Sequence, residues 1–412
     1  MTTHASAGIS PPRDIDSAYA WTRLAVSLAL ATIGSVGMWS FVVALPAVQA
    51  DFGVARGDAS LPFTLTMVGF GAGGVIMGRL ADRFGIVYPL LIGAIALFTG
   101  YVLSAYATNL WQFALAQCLL GFGSSGSFGP LMTAVSHWFE KRRGIAVALV
   151  SCGNYLGGTL WPPLIQFFIS TQGWRGTQIG IGVICLAAML PLVLAMRRRA
   201  PSHPALAPGA VSSGTRGTLG LSSNTLMALL VVAGIACCVA MAMPQVHIVA
   251  YCGDLGYGPA RGAEMLSAML GFGLISRAAC GFIADRIGGV ATLLISSVLQ
   301  GVALFLYLLF DGLVSLYVIS ALFGLFQGGI VPMYAIMVRE YFSPGEAGTR
   351  LGIVLMATLA GMALGGWMSG VIFDLTGSYQ AAFLNGLAWN LVNVSIALWL
   401  LMRSGKRVAA PA

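Results

Sequence analysis

From residue 24 to residue 402 the chain alternates long apolar runs with short polar breaks. Each run is near the roughly 20 residues that an α-helix needs to cross the hydrocarbon of a bilayer. Twelve spans follow, at about 24–46, 60–79, 87–106, 111–133, 144–168, 175–196, 224–250, 262–283, 290–310, 313–337, 348–371 and 380–402. No small-residue cleavage site follows the first run, so it reads as a retained helix and not as a signal peptide. Residues 1–23, which include Pro11-Pro12, and residues 403–412 read as polar tails. The break at 197–223 opens with Arg197-Arg198-Arg199 and continues rich in Pro, Ser and Gly, as a flexible linker between two six-span halves, 24–196 and 224–402. The fold class this pattern predicts is an all-α membrane protein.

Composition sharpens that reading. The chain is 58% hydrophobic and 8% charged, against roughly 25% charged in an ordinary soluble protein. Its net charge of +8 is spread in short clusters between apolar runs and forms no basic patch, so nucleic acid is not an implied partner. The lipid bilayer is. The seven cysteines sit almost entirely within apolar runs without metal-ligand spacing and read as small packing residues, and no cofactor or metal site is implied.

Charge by side sets orientation. Of the 21 Lys and Arg, only Arg56, Arg175 and Arg261 fall on the side opposite the termini, and Arg277 lies inside a span. That bias predicts a multi-pass protein of the cell inner (plasma) membrane with both termini cytoplasmic. All 13 Asp and Glu fall in tails, loops or helix ends. Arg277 is therefore the one charge deep within a span, where it costs roughly 2.5–3.5 kcal/mol or more, and it has no acidic partner at its own depth.

The two halves repeat. Gly78-x-x-x-Asp82-Arg83-x-Gly85 recurs as Gly281-x-x-x-Asp285-Arg286-x-Gly288, an offset of 203. The same offset pairs Gly121 with Gly324, Gly126 with Gly329, and Trp138-Phe139 with Tyr341-Phe342. Applied to Arg277 it reaches Gly74, so the cation is not part of the shared scaffold.

Twelve spans in two repeats, with Gly-x-Leu-Ala-Asp-Arg-x-Gly after the second, resemble the major facilitator superfamily. The resemblance implies that Asp82, Arg83, Asp285 and Arg286 brace neighbouring helix ends during alternating access, while Gly78, Gly85, Gly281 and Gly288 shape the turn. Parallel repeats of this kind place the substrate near the midplane between the halves. Three stretches resemble the monocarboxylate transporter family more narrowly. They are Asp16-Ser-Ala-Tyr19-Ala20-Trp21, without that family's paired glycines; Trp138-Phe-Glu-Lys141-Arg142-Arg143 leading into Gly153-x-x-x-Gly157 and Trp161-Pro162-Pro163; and Arg277 with Gly281 four residues on. The last implies a substrate-binding arginine. Bacterial oxalate/formate exchangers share much of this plan.

The residues themselves support the same chemistry. A guanidinium presents a fixed fork of donors suited to a carboxylate, and low dielectric strengthens the grip. The competing reading is that Arg277 snorkels to the surface, but it lies roughly 10 Å inside the Asp285 loop at 1.5 Å per residue. The departures from the family are informative. Gly273 stands where proton-coupled members carry an Asp, span 24–46 has no Lys, and span 348–371 has no cation beyond Arg350 at its mouth. One buried cation neutralises one carboxylate, which favours a small organic monoanion. It leaves protons or a counter-anion as the coupled species.

His247, after Pro244 and Gln245, is either a coupling group or a histidine hydrogen-bonded at the helix end. The other lining candidates are Trp39, Ser40, Ser124, Phe128, Asn154, Tyr155, Gln327 and Tyr334, polar or aromatic residues that interrupt apolar spans. For the aromatics a core or lipid-facing position is the alternative. No phosphate-binding loop of the Gly-x-x-x-x-Gly-Lys-Ser/Thr type occurs, and no buried carboxylate is available for catalysis, so the expectation is a monomeric secondary transporter and not an enzyme. A non-transporting membrane sensor of the same anion is the rival from another class.

Overall fold

The structure, a computed structural model, describes residues 15–198 and 220–408. Most of the expected linker and the outer parts of both tails lie outside the described residues. Ten helical segments are long and apolar enough to cross a membrane, so the chain is an all-helical multi-pass membrane protein among the described residues.

Helices α1 (Ala18–Gly34) and α2 (Val36–Phe52) make the first pass and meet at Ser35. Passes α3 (Arg56–Phe84) and α4 (Val87–Tyr106) follow. The expected span at 111–133 is instead two helices, α5 (Leu110–Ser125) and α6 (Gly129–Ser136), of 16 and 8 residues, each too short to cross alone. A second departure begins at α7 (Arg143–Ser151) and α8 (Gly153–Ala195). Together they form one apolar segment of 53 residues, about 80 Å if straight, against a hydrocarbon core of about 30 Å. Gly173, at φ 75° and ψ 164°, interrupts it, a conformation other residues rarely adopt.

After residue 219 come α9 (Ser223–Asp254), α10 (Pro259–Ile287), α11 (Gly289–Leu309), α12 (Leu313–Gln327), α13 (Ile330–Tyr341), α14 (Pro344–Thr376) and α15 (Tyr379–Val408). Shifting α3 by 203 residues reproduces the bounds of α10, and α4 and α5 fall within one residue of α11 and α12. Gly85 and Gly288 end α3 and α10 at φ 88° and 86° with ψ 172° and 163°, so the repeated motif closes on the same positive-φ glycine conformation both times. A Cβ on Gly121 would collide with the Thr66 carbonyl, and one on Gly324 with the Met269 carbonyl. Both pairs are 203 apart, so the backbone crossing of α3 with α5 recurs between α10 and α12.

The helices before residue 199 meet those after 219 along two seams. In one, α3 lies on α14 through Thr64, whose hydroxyl donates to the Ala363 carbonyl at 3.0 Å, and through Gly57 against Val371. The other joins α8 to α10, where Ser267 donates to the Thr159 carbonyl.

Candidate functional site

Arg277 lies on α10 at the α8 seam, about 15 Å from the helix end at Ile287 on a rise of 1.5 Å per residue. Its Nη1 donates to the Ser151 carbonyl at 3.4 Å, a long bond, and its Nε is buried with no partner. The guanidinium carbon sits 4.4 Å from the centre of the Tyr155 ring. Among the described residues no carboxylate pairs with it. The structure thus brings together two residues singled out by the sequence, Arg277 and Tyr155, from opposite sides of the undescribed segment.

A second group forms beside Tyr155. Trp39 Nε1 donates to Asn154 Oδ1 at 3.1 Å and is 3.3 Å from the Asn154 carbonyl. With its oxygen taken, the Asn154 amide has its NH₂ left to offer. Asn154, Phe128 and Ser124 share a small crevice with Ser35, Met38 and Phe70, and the Ser124 hydroxyl is buried without a partner. Ser40 lies apart, accepting from the buried Tyr101 hydroxyl at 2.9 Å.

Gln327 ends α12 at the break before α13, fully buried, with both amide atoms unpartnered. The break is anchored beside Arg277, because the Gly329 N–H donates to Ser276 Oγ at 3.2 Å. Tyr334 is different. It is fully buried with its hydroxyl donating to Asn393 Oδ1 at 2.9 Å, within a separate apolar cluster around Met333 and Met337.

The expectation that Arg277 is the one buried charge is corrected. Arg277 is half-buried, whereas Arg56 and Arg23 are 7% and 4% exposed. Hydropathy puts both in polar segments, but each is packed by tertiary contacts that a window cannot see. Arg23 donates to the Arg198 carbonyl at 2.9 Å and lies 4.5 Å from the Trp138 ring centre. Arg56 opens α3 at the face opposite the chain termini. It pairs with Asp254 at 3.0 Å and donates to Gln49 and to the Tyr379 hydroxyl. Asp374, at the end of α14, accepts from the N–H groups of Arg56 and Gly57 at 2.9 and 2.6 Å, capping α3 from another helix.

His247 belongs to this cluster. It is fully buried, with Nε2 2.8 Å from the Gly366 carbonyl and Nδ1 3.3 Å from the Tyr379 hydroxyl. A carbonyl only accepts, so Nε2 carries the proton and Nδ1 receives one from Tyr379. Sequence reasoning missed Arg56, Asp254, Asp374 and Tyr379. The usable signal was that two acids and one of only three far-side cations flank helix ends that must meet.

At the termini's face, Asp82, Arg83, Asp285 and Arg286 are exposed, and among the described residues their side chains make no hydrogen bond or ion pair. Two other family-like stretches do meet there. The Asp16 carboxylate accepts from Lys141 N at 3.1 Å, Tyr19 packs edge-on against Trp138 at 5.3 Å, and Trp21 against Phe139 at 5.2 Å.

Comparison with known proteins agrees with this architecture. A profile of the Major Facilitator Superfamily matches residues 27–310 and 254–412. Monocarboxylate transporter 13 of Bos taurus is 29% identical over 338 residues, covering 80% of this chain and 76% of that one. Monocarboxylate transporter 11 of Homo sapiens is 28% identical over 391 residues, covering 90% and 80%. Among solved structures, the nucleoside transporter NupG aligns with a TM-score of 0.73 at 15% identity, over 92% of this chain and 99% of that one. A bacterial homologue of the human lysosomal transporter Spinster, inward-facing and occupied, gives 0.70 at 14% identity, over 94% and 96%. The chain belongs to the Major Facilitator Superfamily and is a multi-pass membrane transporter.

Proposed function

We propose that the protein is a secondary transporter of a small monocarboxylate, which Arg277 binds between two six-helix halves, 24–196 and 224–402, that rock in alternating access. One observation carries the reading: an arginine within a membrane span has a single long hydrogen bond, an unpartnered Nε and no carboxylate partner among the described residues. A cation so placed is costly unless an anion offsets it. The curated relatives named monocarboxylate transporters favour a single carboxylate as that anion. Asn154, Gln327 and Ser124 supply polar groups for the rest of the ligand, with Trp39 and Phe128 as walls. The Lys and Arg bias supports cytoplasmic termini, and we read the protein as a monomer of the inner membrane.

Anion exchange is the second reading, and the unpaired state of Arg277 favours it. An empty site carries a bare positive charge through the reorientation, whereas a loaded site is neutral, so the loaded form crosses more easily. His247 is the coupling candidate if protons are used instead. Purified protein in liposomes, tested with labelled pyruvate, separates these readings. Uptake driven by a pH gradient and lost in His247→Gln marks proton symport, and uptake that needs pyruvate or another monocarboxylate trapped inside marks exchange. Failure of formate, lactate and pyruvate alike to bind or to be transported would remove the monocarboxylate reading.

A further inference from the structure

We propose that Tyr155 is the positioning residue for Arg277, an aromatic seat that stands in place of a fixed counter-charge; the proposal rests on the reading of Arg277 as the anion-binding group. Tyr155 is 7% exposed and comes from α8, across the seam from Arg277. Its ring lies on the bare backbone of Gly273, one helical turn before Arg277. A Cβ at Gly273 would stand 2.5 Å from Tyr155 Cε1 and 2.9 Å from Cδ1. The same Cβ would stand 3.6 Å from the Gly324 carbonyl, and a Cβ on Gly328 would stand 2.3 Å from the Gly273 carbonyl, so α12 and the α12–α13 break leave it little room to shift. Any side chain at 273 must therefore displace the Tyr155 ring, and with it the support under the guanidinium.

The chemical consequence follows from what each kind of partner consumes. A carboxylate one turn from Arg277 would occupy its N–H donors and compete with an incoming anion. A π face attracts the cation through its quadrupole and leaves those donors unused. Tyr155 thus keeps Arg277 oriented while its donors, apart from the long Nη1 bond to the Ser151 carbonyl, stay free for a ligand. The seat and the guanidinium come from α8 and α10, so the alignment holds only while these helices stay in register.

The test is saturation kinetics of labelled pyruvate counterflow by the reconstituted full-length protein, with thermal unfolding in detergent as the control for folding. Tyr155→Phe keeps the ring and is expected to leave KM within about twofold, while Tyr155→Leu raises KM roughly tenfold with Vmax changed much less. Gly273→Ala is expected to raise KM similarly and to add less than about twofold in the Tyr155→Leu background, because both changes remove one interaction. If Tyr155→Leu does not fold, Tyr155→Met fills the space flexibly and serves the same comparison. Tyr155→Phe as damaging as Tyr155→Leu would overturn the seat in favour of a hydroxyl contact to substrate. An unchanged KM in Tyr155→Leu, alongside loss of transport in Arg277→Ala, would reject the seat and leave the carboxylate reading standing. Undiminished transport by Arg277→Ala would reject the carboxylate reading itself.

Discussion

Arg277 distinguishes charge from shape, because its lysine variant keeps the first and loses the second. Lysine offers a compact ammonium without the planar fork, and it cannot rest on the Tyr155 ring in the same way. Arg277→Lys is expected to fold normally and to raise KM by at least about tenfold, with the largest loss for the smallest acids, which depend most on the carboxylate contact. Equal KM values for wild type and Arg277→Lys would show that a point charge suffices. Arg277 was legible in the sequence because a charge inside an apolar run is conspicuous. Tyr155 was legible as a residue but not in its contact, since nothing in the chain announces that Gly273 and a ring 118 positions away share one space. Arg56 was illegible for the opposite reason. It sits in a polar break, and only packing against Asp254, Gln49 and Tyr379 buries it.

The helices themselves were largely written in hydropathy, and their interruptions were not. The pieces of 16 and 8 residues at 110–136 have the apolarity of one span, and the break at Gly126–Phe128 shows only as extra glycine. Its counterpart at Gly328–Gly329 lies at the same place in the second repeat. Where the repeat forces backbones together, substitution has a defined cost. Gly121→Ala must push α3 from α5 because a Cβ meets the Thr66 carbonyl, and Gly324→Ala does the same to α10 and α12 at Met269. Each is expected to destabilise by about 1–3 kcal/mol through overpacking, read as a lower thermal midpoint; Gly345→Ala, with open space around it in α14, is the control expected to show no decrease. The contact between the N-terminal segment and the α6–α7 connection is of another kind. Asp16→Ala removes acceptors from the Lys141 and Glu140 N–H groups, at 3.1 and 3.4 Å, in an exposed setting. It should cost about 1 kcal/mol of stability and leave the KM for substrate unchanged.

At the scale of the whole molecule, the two sets of helices are tied at the face opposite the termini, while the repeated Asp-Arg motifs at the termini's face are unengaged among the described residues. The tie is concentrated in one arginine. Arg56 joins Gln49 of α2 to Asp254 of α9 and Tyr379 of α15, and its own N–H is capped by Asp374 of α14. Arg56 is buried but Asp254 is 40% exposed, so Arg56→Gln loses one solvent-screened ion pair together with the hydrogen bonds to Gln49 and Tyr379, and should shift the balance between open and closed far faces by about 1–2 kcal/mol, a population change of roughly 5- to 30-fold. The change is readable as distances between spin labels. Trp111 and Val314, 66% and 76% exposed, begin α5 and α12 at the far face, and Phe84 and Ile287, 51% and 48% exposed, end α3 and α10 at the other. With the half-buried Cys118 and Cys152 replaced by serine, Arg56→Gln should lengthen the first distance and shorten the second. Asp254→Asn, which keeps the shape and removes one charge, should move both in the same direction by less. If Arg56→Gln left both distances as in the wild type, the far-face cluster would be packing without control of the conformational balance. Opposed changes at the two faces would show that the Arg56 tie at the far face and the separation of the α3 and α10 ends at the termini's face belong to one equilibrium.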